Sequence, residues 1–251
     1  MITRAYDILG HCEEKEYKVY LYFLFKVRPT RINKNGCIME WDKDYEEMDP
    51  GHRHISPLFG LYPDSQITPY KTLELAKACE RTLERRNRED AFGYTGFCGW
   101  VGAWVACRYA RLGMEEDAKR CLYDLLKRSV TKSLLSIYPV YQIDGSFGAA
   151  AAVVELLLRS DEERIFLLPA LPEELDAGNF RGLCARGGFV IDAEWNQGKI
   201  YKAVITSRNG NICRVKAESC IGVNASYVVE DGFIVFRTEK GKTYELQMER
   251  S

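Results

Sequence analysis

The sequence predicts a mainly helical part followed by a β-sandwich-like part. Three observations carry this reading. Up to Asp161, apolar residues recur at helical spacing between polar and aromatic loops. From Gly178 onward, apolar and polar residues tend to alternate with period two. Asn209-Gly210 and Asp231-Gly232 punctuate that alternation as hairpin turns. The expected division is therefore 1–161 for the helical unit and 162–251 for the β unit with a bridging strand. A chain of 251 residues can bury a sizeable core in either unit.

Taken in order, residues 1–10 read as the end of a helix stopped by Gly10, so the chain is expected to lack its true start. Residues 14–27 read as a second helix, stopped by Pro29. Residues 31–51 are loop-like, with Asn35-Gly36 as a turn signal. Thr68-Pro69 opens a helix, Thr as N-cap and Pro at the first position, with Leu73, Ala76, Cys79 and Leu83 on one face. After a Gly- and aromatic-rich connection at 92–97, Trp100, Ala103, Trp104 and Cys107 mark the core face of a helix ending at Gly113. Residues 115–130 form another, with Ala118, Cys121, Leu122 and Leu125 inward. Acids in its first turn and Lys127 and Arg128 in its last suit the helix dipole.

The run 149–158 is apolar except for Glu155, and it follows the turn Gln142-Ile143-Asp144-Gly145-Ser146. A helix with almost no polar face needs neighbours on every side, as on the inner wall of a helical barrel. About six helices result. Residues 164–169 then form a strand-like bridge. Beyond it, Phe189, Ile191, Ala193 and Trp195 face one way, against Asp192 and Glu194. Tyr201, Ala203 and Ile205 repeat the pattern, as do Tyr244, Leu246 and Met248.

Composition excludes several function classes. The formal net charge of -1 gives no basic surface for nucleic acid or membrane, and no apolar run is long enough to span a bilayer. Nine cysteines without a CxxC pair and only three histidines argue against a metal site, and no cofactor is implied. Cys79, Cys107 and Cys121 lie on apolar helix faces as buried free thiols. With no signal peptide, they point to a reducing, cytoplasmic compartment.

Three loop segments concentrate reactive side chains: Glu40-Trp41, His52-Arg53-His54, and Asp144 with Gln142. Acids, an Arg, imidazoles and an aromatic at one end of a helical barrel suit a carbohydrate. Glycosidases need two carboxyl groups across the scissile bond. Each candidate has a plainer reading. Asp144 is either a general base or a helix N-cap. Glu40 could be an ordinary loop acid and Trp41 core. His52 and His54 could be structural, and Arg53 a buried tether to a carboxylate. Trp100 and Trp104 read as core.

Residues 36–41 (GCIMEW) and 49–63 (DPGHRHISPLFGLYP) resemble the C-terminal half of glycoside hydrolase family 95. So do residues 110–113 (ARLG), 142–148 (QIDGSFG), 167–172 (LLPALP) and 182–188 (GLCARGG), in the family's order. The resemblance implies α-L-fucosidases and some α-L-galactosidases. It also implies the C-terminal half of an (α/α)6 barrel, a C-terminal β domain and an inverting mechanism. By motif, Asp144 matches the Asp that activates water with nearby Asn side chains. His52, Arg53 and His54 match the pocket segment, and Glu40 and Trp41 its Glu-Trp pair. The family's general-acid Glu and Asn pair lie upstream, and this chain has no equivalent. Ser146 stands for the family's Asn, Pro57 for a His, and Tyr138-Pro139-Val140-Tyr141 for His-Pro-Pro-Phe. The chain alone is thus expected to be inactive, acting on fucosylated oligosaccharides with a missing N-terminal half. The rival expectation is an inactive remnant or carbohydrate-binding module. A third is another helical-barrel glycosidase or phosphorylase.

Overall fold

A computed structural model describes residues 26, 28–86, 99–137, 141–217 and 220–248. The expected helices at 1–10 and 14–27 and the connection at 92–97 lie outside these residues, apart from Lys26. The described part contains four α-helices and two five-stranded sheets.

Helix α1 spans Leu73–Arg86. Thr68 acts as expected of a cap, its Oγ1 accepting the Lys71 N–H at 3.1 Å. The turn it caps leads into α1, which itself begins five residues later. Ala76, Cys79 and Leu83 are buried, but Leu73, the first helical residue, stays largely exposed. Helix α2 (Gly99–Leu112) is the most buried of the four. Gly113, with φ +76°, ends it where a left-handed residue is needed. Helix α3 (Glu115–Arg128) buries Ala118 and Cys121 against the same core, and Leu125 is buried as well.

Helix α4 (Ile143–Leu157) departs from expectation. It buries only Gly145, Ala152 and Leu156, while Ile143, Phe147 and Val153 are exposed. Its approach to α2 is close: a Cβ on Gly148 would lie 2.8 Å from the Ala103 Cβ. Its other sides meet no described helix of comparable contact, so the apolar surface remains open. Glu155, the one charge in its apolar run, is held by Arg111 of α2, with Nη2–Oε1 at 2.8 Å. Glu155 outweighs the effect of burial and raises the pKa of Arg111.

Strand β1 (Leu158–Ser160) follows α4 without a linking residue. The strands that follow are β2 (Ile165–Leu167), β3 (Gly178–Ala185), β4 (Phe189–Asn196), β5 (Lys199–Ser207), β6 (Ile212–Lys216), β7 (Cys220–Val223), β8 (Tyr227–Glu230), β9 (Phe233–Arg237) and β10 (Thr243–Met248). One sheet has the order β1-β2-β6-β9-β8 and the other β3-β4-β5-β10-β7. All pairings are antiparallel except β2 (Ile165–Leu167) with β6 (Ile212–Lys216). The inward residues of both sheets share one core, which includes Ile165, Val215, Phe236, Ile191, Ile205 and Leu246. This is a two-layer sandwich.

In β4 (Phe189–Asn196), Phe189, Ile191, Ala193 and Trp195 are buried, as the alternation requires. In β5 (Lys199–Ser207), Tyr201 is exposed, against expectation. The cause is a bulge: Glu194 pairs with Lys202 but Trp195 pairs with Ile200. Ile200 takes the inward place, and the Tyr201 hydroxyl turns out to donate to Glu194 at 3.0 Å. Asp231-Gly232 is the expected hairpin turn, both residues at positive φ between β8 (Tyr227–Glu230) and β9 (Phe233–Arg237). Asn209-Gly210 is not. It carries the chain from β5 to β6, which belong to different sheets, so it turns a corner of the sandwich.

Candidate active site at one end of the helices

The C-terminal end of α1, the N-terminal ends of α2 and α4, and the loop after α3 meet at one end of the helical unit. Ser136 is the pin. Its backbone N–H donates to Ser146 Oγ at 3.1 Å, and its carbonyl accepts the Gln142 N–H at 3.0 Å. Its side chain fills a notch between Gly99 and Gly145, where a Cβ on either glycine would collide with Ser136 Oγ. A Cβ on Gly145 would also lie 3.1 Å from the Gly99 carbonyl carbon. The Asp-Gly pair therefore has a steric reason: only glycine lets the starts of α2 and α4 approach so closely.

Asp144 sits in the first turn of α4, exposed, and Oδ1 accepts the Gly145 N–H at 3.0 Å. It is not the N-cap. That position is Gln142, and no side chain caps the helix. An acid in the first turn still suits the helix dipole. Gln142 is half-buried, and its buried Oε1 has no hydrogen-bond partner among the described residues. An unmet buried acceptor is costly unless something donates to it.

One residue, Trp100, links α2 to the histidine segment. Gly99 begins α2, and Trp100 follows it. The Trp100 ring meets the His54 ring edge-on at 5.1 Å, and His54 stacks on His52 at 5.0 Å. His52 Nδ1 accepts the His54 N–H at 3.2 Å, so the segment folds back on itself. Burial, then the neighbouring His52 and Arg53, lower the pKa of His54. The ring is thus kept neutral at neutral pH, able to accept or donate to a hydroxyl. Trp100 and Trp104, expected as core, are half-buried and form an aromatic ladder, 5.9 Å apart and edge-on.

Arg53 is exposed and is not the buried tether. That part belongs to Arg86, the last residue of α1. Arg86 is 3% exposed and pairs with Glu40 and Glu47, each at 3.2 Å. Sequence reasoning missed it because the basic residues of α1 read as a solvent face. The usable signal was two arginines closing a helix, with acids at Glu40, Glu46 and Glu47 upstream. Trp41 is not core but exposed. It lines a separate cleft of about 300 Å³ with Arg28, Arg31, Met39 and Pro57, whose lining includes neither histidine nor Asp144.

The structure thus brings Asp144, Gln142, His52, His54 and Glu40 to one end of the helices, with Trp41 beside them in sequence but in its own cleft. Among the described residues, no group of three His, Cys, Asp or Glu side chains could hold a metal, and no helix is long and apolar enough to cross a membrane.

The model of the glycosyl hydrolase family 95 catalytic domain matches residues 1–157, and that of the family's C-terminal domain matches residues 159–246. The chain belongs to glycoside hydrolase family 95. Among curated relatives, Alpha-L-fucosidase 2 of Arabidopsis thaliana is 37% identical over 211 residues, covering 79% of this chain and 24% of the relative. Probable alpha-fucosidase A of Aspergillus niger is 28% identical over 204 residues, 74% of this chain and 25% of the relative. Its namesake in Aspergillus oryzae is 29% identical over 212 residues, 74% of this chain and 29% of the relative. The matched part of the chain spans 24% to 29% of the length of these relatives. The two family 95 matches meet where α4 passes into β1.

Proposed function

We propose that this chain is the base-side portion of an α-L-fucosidase, with Asp144 activating the attacking water. The observation that carries the reading is the position of Asp144: exposed at the start of α4, whose Gly145 abuts Gly99 of α2, next in sequence to the Trp100 that meets His54. A carboxylate, imidazoles and an aromatic edge are groups that a sugar ring and a water molecule can use at an inverting site. Family membership and relatives named as fucosidases support terminal α-L-fucosides as the substrate class. Residues 1–161 belong in this reading to the (α/α)6 barrel and 162–251 to its β partner. The general acid comes from catalytic-domain sequence that the relatives carry beyond this chain's span. Without it, loss of leaving-group protonation alone costs about 10²–10⁴-fold in rate.

The test uses the chain joined to that preceding catalytic-domain sequence. Asp144→Asn abolishes turnover of 4-nitrophenyl α-L-fucoside and leaves the melting temperature unchanged, because Asp144 is exposed and bonds only its neighbour's N–H among the described residues. Undiminished turnover removes Asp144 from the reaction. A rival reading, a binding module without hydrolysis, rests on Ser146: it is spent on the loop, accepting from Ser136, where the family resemblance implies an Asn. Binding of L-fucose with no turnover by the joined protein would favour it.

A further inference from the structure

We propose that Arg86 is a positioning residue for this site, setting the His52–His54 segment and the Glu40 carboxylate in register against α2. The proposal rests on reading this end of the helices as the sugar site.

Residues 40–54 contain no helix or strand. Among the described residues, the backbone hydrogen bonds within this stretch are Tyr45 N–H to Lys43 O and His52 N–H to Asp49 O. Main-chain pairing therefore does little to fix its shape. Arg86 supplies what the backbone lacks. Nη1 donates to the carbonyls of Asp49 and His52, each at 3.4 Å, and Nη2 donates to Glu40 Oε2 and Glu47 Oε1, each at 3.2 Å. One guanidinium thus holds both ends of the stretch. Glu47 is held a second time by Arg85 Nε at 2.6 Å. The guanidinium lies at the C-terminal end of α1, where the helix dipole favours a cation.

The geometry transmits. Arg86 holds the His52 carbonyl; the His52 ring stacks on His54; the His54 ring abuts Trp100. A buried guanidinium must keep its acceptors, because an unpaired charge there is costly. Its planar fork can serve four acceptors from fixed directions, which a lysine ammonium cannot. Arg86→Lys is therefore a test of position with the charge kept.

The experiment records imidazole ¹H–¹³C spectra of the same joined protein, alone and with L-fucose, for wild type, Arg86→Lys, Arg86→Leu and Arg85→Lys. Arg85 touches Glu47 but, among its described contacts, not the histidine segment, so it controls for a general effect at the helix end. Expected in Arg86→Lys are displaced His52 and His54 signals, a lowered but still cooperative melting transition, and roughly tenfold weaker L-fucose binding, the cost of misplacing charge-assisted contacts. Arg86→Leu shows the same displacement if it folds; if it does not, Arg86→Lys decides. Unmoved imidazole signals in folded Arg86→Lys, or equal displacement by Arg85→Lys, overturn the positioning role. Wild type that binds no L-fucose overturns the sugar-site reading instead, and the imidazole signals still decide whether Arg86 positions the segment.

Discussion

Arg108 carries a positive charge into the helical core. It is 0% exposed, and its buried Nε, Nη1 and Nη2 have no hydrogen-bond partners among the described residues. Its one described compensation is the Trp104 ring, 4.5 Å from the guanidinium carbon. Burial pushes its pKa down to about 10, still protonated at neutral pH. Arg111, one turn on, solves the same problem with Glu155. Arg108→Met keeps much of the volume and removes the unmet donors, and is expected to raise stability by about 1–3 kcal/mol. Calorimetric melting checks it, and a lower melting temperature would show that the cation–π contact outweighs the desolvation. At this scale the sequence was legible for chemistry but not for partners. Asp144, Gln142 and the histidines stand out by type and by turn context. Arg86 does not, because its role arises from contact with loop residues 34–46 positions earlier. Arg53, flanked by the histidines, drew the role that Arg86 fills.

Between elements, the decisive contacts join the helical unit to the sandwich. The Tyr70 hydroxyl, ahead of α1, donates to Asp161, which lies between β1 and β2. Arg159 packs over the Phe166 ring at 4.3 Å and donates to the Arg111 carbonyl at 2.9 Å. Burial would raise the pKa of Asp161, but the bonds from Tyr70 and from the Glu163 and Arg164 N–H groups hold it below its ordinary 3.8. A carboxyl depressed on folding stabilises the protein fully above its unfolded pKa, and loses that contribution as pH falls through the folded one. Stability is therefore expected to fall on acidification below about pH 4. Asp161→Asn should flatten that limb, read as the melting temperature against pH; an unaltered slope would remove the junction from acid sensitivity. Strand alternation in β4 and the Asp231-Gly232 turn could be read directly, since both are local. The bulge beside Trp195 and the sheet change at Asn209-Gly210 could not. Both depend on which strand lies alongside.

For the molecule as a whole, an apolar surface borders the site. Leu134, Leu135, Ile137, Tyr141, Ile143 and Phe147 are all exposed, running from the loop after α3 into α4. Burying such area contributes about 25 cal/mol per Å², so a surface of this kind favours a partner. In the proposed function, the partner is the remainder of the catalytic domain. The isolated chain is expected to bind an anilinonaphthalene dye, and the double substitution Ile143→Ser with Phe147→Ser should lower that binding without lowering the melting temperature. Unchanged dye fluorescence would place the sticky surface elsewhere. The α4 pattern announced this need for neighbours; which sides the described helices leave open emerges only from their packing.

The passage from Leu157 to Leu158 has a consequence for inheritance. The two family 95 units adjoin at a point where the last helical residue is followed directly by the first residue of a strand. Domains that recombine freely are joined by tethers that tolerate a new orientation. Here the splice fixes the direction in which the sandwich leaves the helices, and Arg159 and Asp161, just beyond it, are already committed to α2 and to Tyr70. The C-terminal unit is thus a poor cassette. A chimera made at this point has to import the matching Arg111 and Tyr70 surroundings as well, and lineages carrying one half should be constrained to keep the other.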